Sequence, residues 1–334
     1  MFLGKINKYN YNSLLRVLNG IKYKGISGLV QNLYHSYNCN ISCYPSYSET
    51  SEQSILMLDI LFYKTTNISV NPDRGLKYHK VLSFIESLQH SESSSLNIGV
   101  CKFHYSSISQ FAAQLLPSPK TINTNYYLRS RYHRHLQNGI QRDAVTGWLL
   151  YASFYYVTEQ YNETIRLTAY VLSKCSPDMV KLGMQYSSEA NTYKDINNYK
   201  RNVHCLMTLN AKMKTAVVDD VFYIQHSSLI PQELEMEVED NAFIVPPFVM
   251  SHCLRFLCYH HIGDTYNRQQ ALRHLCSLQD VSTHTLSNNL TLAGVCYETS
   301  GFKDAAFHCY DKALQCDKRI CPSAEKRKSR LLNI

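Results

Sequence analysis

The 334-residue sequence contains no Gly-Ser dipeptide, no Gly-Lys-Ser or Gly-Lys-Thr, and no Gly-x-Gly-x-x-Gly. The glycine-rich turns that cradle phosphates, as a P-loop or a dinucleotide fingerprint, are therefore missing. Long apolar runs are missing too. The longest, Ile55 to Tyr63, is interrupted by Asp59 and falls far short of the ~20 residues that cross a bilayer. The first residues set Lys5, Lys8 and Arg16 among Asn and Tyr, without the apolar stretch or small-residue cleavage site of a secretory signal. A cytoplasmic location is expected.

Charged residues make up only 18% of the chain and there is one tryptophan, yet apolar residues reach 45%. That balance belongs to a folded globular protein and excludes disordered and collagenous classes. The length exceeds the about 250–300 residues at which a single core stops growing, so two units or an extended repeat array are expected. Twelve cysteines without a secretory signal read as free thiols that pack as small core residues. A net charge of +8 bears on solubility and weak anion attraction, and does not establish nucleic-acid binding.

The clearest break is Leu116-Pro117-Ser118-Pro119-Lys120-Thr121, where two prolines deny backbone donors and disfavour helix before them. The expected organisation is a mostly helical region 1–117, a linker 118–125, a helical repeat region 126–320 and a basic tail 321–334. Helical spacing predicts helices over Tyr11–Asn19, Ser27–Tyr37, Tyr78–Leu88 and Ser106–Leu116, with one strand around Ile55–Phe62. Beyond the break, Tyr126–Gln137 reads as a helix closed by a left-handed turn at Asn138-Gly139. A second helix starts near Asp143.

In that helix Trp148, Tyr151, Ala152 and Tyr155 share one face, and Ile165, Ala169 and Leu172 share a face of the next. The same patterns recur as Leu290, Ala293, Gly294 and Tyr297, then Ala306, Tyr310 and Ala313, at offsets of 142 and 141 residues. A nearer echo, Ala271, Leu275 and Leu278, precedes the last set by 35 residues. Between Asn288 and Asp317 the pattern resembles the tetratricopeptide consensus: apolar, small-Gly, Tyr, a turn at Gly301, then Ala-x3-Tyr-x2-Ala. Such units run to about 34 residues, so an irregular array is expected, with one ordinary helical hairpin as the alternative. In either, Gly294 and Ala306 allow close helix approach while Tyr297 and Tyr310 fill the groove, and Trp148 is expected between helices.

Chemistry-bearing residues fall into four groups. The acidic run Glu233, Glu235, Glu237, Glu239 and Asp240 alternates with Leu234, Met236 and Val238, which allows a cation-binding edge on an extended segment or simply a solvated face. His252, Cys253, Cys258, His260, His261, His274 and Cys276 offer zinc ligands without finger spacing, so core packing is the expectation. Gly25-Ile26-Ser27-Gly28 misses the nucleophile-elbow spacing. Finally, Arg129, Arg131 and Arg134 on one helix, and Lys326, Arg327 and Lys328 near the end, are candidate phosphate contacts. No catalytic residue, metal site or cofactor is predicted.

The stretches Gln141-Arg142-Asp143-Ala144-Val145-Thr146-Gly147-Trp148-Leu149 and Ser227-Ser228-Leu229-Ile230-Pro231-Gln232-Glu233-Leu234, continuing to Leu254-Arg255-Phe256-Leu257-Cys258-Tyr259, resemble the C-terminal region of invertebrate, especially molluscan, Mab-twenty-one-like proteins. Met1 to Ile6 resembles the end of that family's helical domain. The resemblance implies a nucleotidyltransferase-like core related to cyclic GMP-AMP synthase, followed by a helical domain and a tetratricopeptide-like tail. The core's Gly-Ser turn and paired carboxylates have no counterpart in this chain. What the resemblance implies is thus a non-catalytic scaffold whose repeat groove binds a protein or peptide. The alternative is a nucleic-acid-binding accessory or sensor domain of an innate-immune receptor.

Overall fold

A computed structural model describes residues 78–93, 95–120, 126–181, 197–204, 206–277, 283–316 and 322–332. In chain order these form α1 (Tyr78–Ser91), α2 (Ser95–Gln114), α3 (Tyr126–Gly139), α4 (Thr146–Val157), α5 (Tyr161–Lys174), β1 (Val180–Lys181), α6 (Leu209–Ala216), β2 (Val217–Val218), β3 (Val221–Tyr223), a 3₁₀ helix η1 (Gln232–Val238), β4 (Phe243–Val245), α7 (Pro247–Ile262), α8 (Thr265–Cys276), α9 (Thr283–Thr299), α10 (Lys303–Cys316) and α11 (Pro322–Leu332). The protein is an all-α helical array, with only short strand pairs among the described residues. The helices expected before Tyr78, the strand at Ile55–Phe62, the Met1–Ile6 phrase, the Gly25–Gly28 segment and Leu278 lie outside the described residues.

Two compact units divide the chain, one from residues up to 108 with 178–217, the other from 109–177 with 218–334. The division falls inside α2, whereas the sequence placed it at the prolines. The reason is visible at the proline corner. Tyr132 donates from its hydroxyl to the Pro117 carbonyl at 2.6 Å and lies 2.9 Å from Ser228 Oγ, so the chain is pinned there rather than free. In the first unit, Val81, Leu82 and Ile85 of α1 are buried. Gly99 of α2 is buried too, and a Cβ on it would stand 3.2 Å from Leu209 Cβ of α6.

The second unit stacks three helical hairpins, α4/α5, α7/α8 and α9/α10. Helix α7, buried on nearly every side, is the central element against which α4, α5, α8 and α9 pack. The three hairpin turns are alike. Glu159, Gly263 and Gly301 are left-handed, at φ 62°, 82° and 83°. Each donates its amide to the carbonyl three residues back, and the next amide donates to the carbonyl four before the left-handed residue. A tyrosine supplies that last carbonyl every time: Tyr155, Tyr259 and Tyr297. The turns lie 104 and 38 residues apart, which accounts for the 142-residue offset and places an unrecognised unit, α7, between.

At Glu159 the left-handed backbone carries a Cβ, a conformation that costs about 1–2 kcal/mol. Glu159→Gly should therefore stabilise the protein by about 0.5–1 kcal/mol, after the extra entropy of glycine in the unfolded chain is subtracted. A higher urea midpoint at unchanged slope is the expected reading.

Several sequence expectations shift. Helix α2 starts at Ser95, ahead of the expected Ser106. Gly139 is not a left-handed cap: it stays helical, and a Cβ there would meet Gln110 Cγ at 2.8 Å. On α5 the buried residues are Thr164, Leu167, Thr168 and Val171, while Ala169 is exposed. The 35-residue echo reflects which residues of α8 and α10 are buried, Ala271 and Leu275 against Ala306, Tyr310 and Ala313. The hairpins themselves repeat at 38.

The Gln141–Trp148 phrase is a buried polar knot. Asp143 Oδ1 accepts from the amides of Val145 and Thr146 at 2.8 and 2.7 Å, which opens α4. Arg142 Nη2 donates to Asp219 at 2.8 Å. Gln110 Nε2 donates to the Gly139 carbonyl at 2.9 Å and to Thr146 Oγ1 at 3.0 Å. Burial raises the Asp143 carboxyl above the ordinary range, opposed by Arg142 and aided by the Asp219 charge.

Candidate interaction site

Pro231 sets an extended residue before η1 (φ −52°, ψ 145°), and the acidic run then winds as a 3₁₀ helix rather than the expected extended edge. Winding changes which residues turn inward. Leu234, Val238 and the charged Glu237 are buried, while Glu239 and Asp240 are exposed. A buried carboxylate needs a partner, and α11 supplies it.

Helix α11 begins with proline in its first turn, where no backbone donor is needed. Among its described side chains the buried ones are Ser323, Ala324 and Arg327, small or charged. Arg327 Nε donates to Glu237 Oε1 at 2.9 Å, and its Nη2 donates to the Glu233 carbonyl at 2.7 Å. Ser323 donates to the other Glu237 oxygen. Lys326 bridges Glu239 and Asp240 at 2.8 and 2.7 Å. Lys328 reaches Asp311 at 2.5 Å and lies over the Phe307 ring, and Arg330 pairs with Glu298.

The expected basic tail is thus a docked helix, and the acidic run, expected as a cation-binding edge or a solvated face, meets it. Lys326, Arg327 and Lys328, expected as phosphate contacts, are instead occupied by carboxylates. Burial opposes ionisation of Glu298, but hydrogen bonds from Tyr310 and Arg330 and the Arg327 charge outweigh it and hold the carboxyl below its ordinary value. The hydrogen bond from Lys328 lowers Asp311 likewise.

The opposite side of η1 holds a second cluster that the sequence did not suggest. Tyr156 of α4 donates to Glu233 Oε1 at 2.8 Å, and His261 of α7 lies 3.0 Å from the phenol and 3.2 Å from the carboxylate. Tyr161 stacks on His261 at 5.0 Å. Burial, then the Glu233 charge, pushes the Tyr156 phenol well up, so it keeps its proton and ties three elements together instead of acting as a nucleophile. Only the three-dimensional fold brings these residues together. They are 77 and 28 residues apart in sequence.

Arg129, Arg131 and Arg134 are all exposed on α3, but they do not form one stripe. At 3.6 residues per turn, Arg129 lies on the flank facing α4, where its Nε approaches His133 at 3.5 Å. Arg131 lies on the other flank over the Tyr127 ring. Arg131 and Arg134 both act on His135, which burial pushes down to about 4. Among the described residues Arg129 and Arg131 have no carboxylate partner.

The repeat-packing residues divide by depth. Ala152, Ala306, Tyr310 and Ala313 are fully buried, and Gly294 backs onto the Tyr310 ring. Tyr155 and Tyr297 are half-buried. Trp148 is also only half-buried, edge-on to the exposed Tyr170 of α5 at 5.3 Å. Among the described residues no group of three or more His, Cys, Asp or Glu is arranged to hold a metal. Cys253 and Cys296 meet in the core at 4.0 Å.

His252 shows what burial does to that set. It stacks against His274 and meets Phe248 edge-on, and desolvation, followed by the charges of His274 and Arg255, pushes its imidazole down to about 4. The folded protein holds the ring neutral while the unfolded chain protonates it at the ordinary 6.5. This residue's contribution to stability is therefore full above pH 6.5 and falls as the pH drops toward 4, by about 3 kcal/mol. His252→Gln should flatten that part of a plot of Tm against pH.

Compared with protein-family models, curated proteins and solved structures, the chain matches none. Among the described residues no helix is long and apolar enough to cross a membrane.

Proposed function

We propose that the protein is a non-catalytic interaction scaffold, an irregular tetratricopeptide-like array resembling the regulatory C-terminal half of a Mab-twenty-one-like protein. The observation that carries this reading is the repeated hairpin turn at Glu159, Gly263 and Gly301, with its tyrosine in register. Stacked hairpins of that kind build extended surfaces suited to binding a protein or peptide. Two further observations support the absence of catalysis. Glu237 of η1 is engaged by α11 and Glu233 by Tyr156, and the Gln141–Trp148 phrase serves as a structural knot. Free buried thiols such as Cys258, pushed by burial up to about 12, fit a cytoplasmic home.

Purified protein should show strongly helical circular dichroism and no turnover of ATP plus GTP with magnesium. Turnover above that of a blank preparation would refute the scaffold reading.

A second reading, a nucleic-acid-binding accessory domain, draws on Arg129 and Arg131, which lack carboxylate partners among the described residues, and on the exposed Tyr126 and Tyr127. It predicts duplex binding that weakens steeply with salt and is abolished by Arg131→Glu with Arg134→Glu. No measurable affinity at low salt would eliminate it.

A further inference from the structure

The contact between α11 and the rest of its unit is nearly all charge. Five carboxylates, from Glu237, Glu239, Asp240, Glu298 and Asp311, line the trough formed by η1, the end of α9 and the outer side of α10. Four cations of α11, Lys326, Arg327, Lys328 and Arg330, answer them. Almost no apolar surface accompanies this. Among the described side chains of the helix Ala324 is the one buried apolar group, Leu331 is half-buried, and Leu332 is 68% exposed. A helix that docks permanently normally buries an apolar stripe.

The strength of the contact follows from exposure. Lys326 and Arg330 are 44% and 53% exposed, and pairs at that exposure contribute little in water and are screened by salt. The Arg327–Glu237 pair, 3% and 1% exposed, gains attraction but has lost hydration, and the two nearly offset. The trough is therefore strongly selective for positive charge and weakly held by its present occupant.

We infer that this acidic trough is a receptor for a basic helix, filled by α11 as an exchangeable ligand that a partner protein's helix of the same kind displaces. The ligand pattern is explicit. Two small residues are followed by cations three, four, five and seven positions after the first, as Ser323, Ala324, Lys326, Arg327, Lys328 and Arg330 stand here. Small residues let the helix approach η1, the cation at four enters beside Glu237, and the others meet the rim. The inference rests on the scaffold reading. Nucleotide turnover would defeat that reading, whereas the peptide titration below decides the trough.

The test uses the full chain and a fluorescent 11-residue peptide with the α11 sequence. An intramolecular helix competes at high effective concentration, so the wild-type chain should bind weakly. A chain with Arg327→Glu, which sets an acid against Glu237, should bind the same peptide at least about tenfold more tightly. The affinity should fall about tenfold or more between roughly 50 and 500 mM salt. A peptide of the same composition in scrambled order should bind at least about tenfold more weakly, because the cation at four no longer meets Glu237.

Should Arg327→Glu lose helical circular dichroism, Lys326→Gln with Lys328→Gln, both at the rim, replaces it with the same expected order of affinities. Equal binding of the scrambled peptide would reduce the trough to general charge attraction and overturn the proposal. So would the absence of peptide binding to a folded Arg327→Glu chain. Formation of a dimer by that variant, with α11 exchanged between copies, would assign the trough to a second copy and overturn the partner-helix assignment.

Discussion

Gly147→Ala is expected to destabilise the protein by about 3 kcal/mol, the upper end for overpacking, because the atoms it meets cannot move aside. A Cβ at this position would lie 2.5 Å from the Gly139 carbonyl oxygen and 2.5 Å from Ile140 Cα. Both are backbone, at the end of α3. That carbonyl is also the acceptor for Gln110 Nε2, so shifting it would disturb the knot through Thr146 and Asp143. Gly99→Ala provides the internal comparison. Its Cβ would meet the Leu209 side chain at 3.2 Å, which can give by a few tenths of an ångström, and the expected cost is under about 1 kcal/mol. Urea unfolding of the two variants should separate them clearly; equal midpoints would show that α3 and α4 can slide apart at little cost.

The helical character of the chain was legible because apolar periodicity is a local property. Tyr126–Gln137 and Tyr78–Leu88 are helices within two or three residues of their expected ends. The outer hairpins were legible for the same reason: Gly294, Ala306 and Tyr310 satisfy a spacing that a sequence displays directly. The middle hairpin was not. Its first helix, α7, is buried on nearly every side and keeps only Tyr259 of the pattern, with His252, Arg255 and Phe256 standing where the α9 unit has Leu290, Ala293 and Gly294. A helix with neighbours all round has no amphipathic stripe to read.

Charge was the least legible. The acidic run was read as a cation-binding edge or a solvated face and the basic segment as candidate phosphate contacts, because a charged stretch taken alone shows no partner within the chain. Their pairing spans 86 to 90 residues, and no local rule connects segments so far apart. One sign was present in the sequence: Pro231 ahead of Gln232–Val238, a stop that changes the period of the acidic run and turns Glu237 inward. The three arginines of α3 show the limit of sequence adjacency in another way. Neighbours in sequence, they are split across two flanks by the turn of the helix.

The largest single loss is expected at Tyr310. Its ring is fully buried and its hydroxyl donates to Glu298 Oε2 at 2.7 Å, so Tyr310→Ala should cost about 3–5 kcal/mol. Tyr310→Phe isolates the hydroxyl and should cost about 1 kcal/mol. The aromatic face depends on Gly294, since a Cβ there would overlap the edge of the ring. A ring anchored at its far end by Glu298 cannot swing away, so Gly294→Ala should cost about 2–3 kcal/mol in the wild-type background. With the ring removed by Tyr310→Ala, the same substitution meets open space and gains helix propensity, of order 1 kcal/mol. The double-mutant cycle should therefore show a coupling of about 3 kcal/mol, measurable by urea unfolding of four proteins. Additive costs would mean that Gly294 serves the backbone of α9 and not the tyrosine it faces, and the close helix approach that defines this hairpin would need another cause.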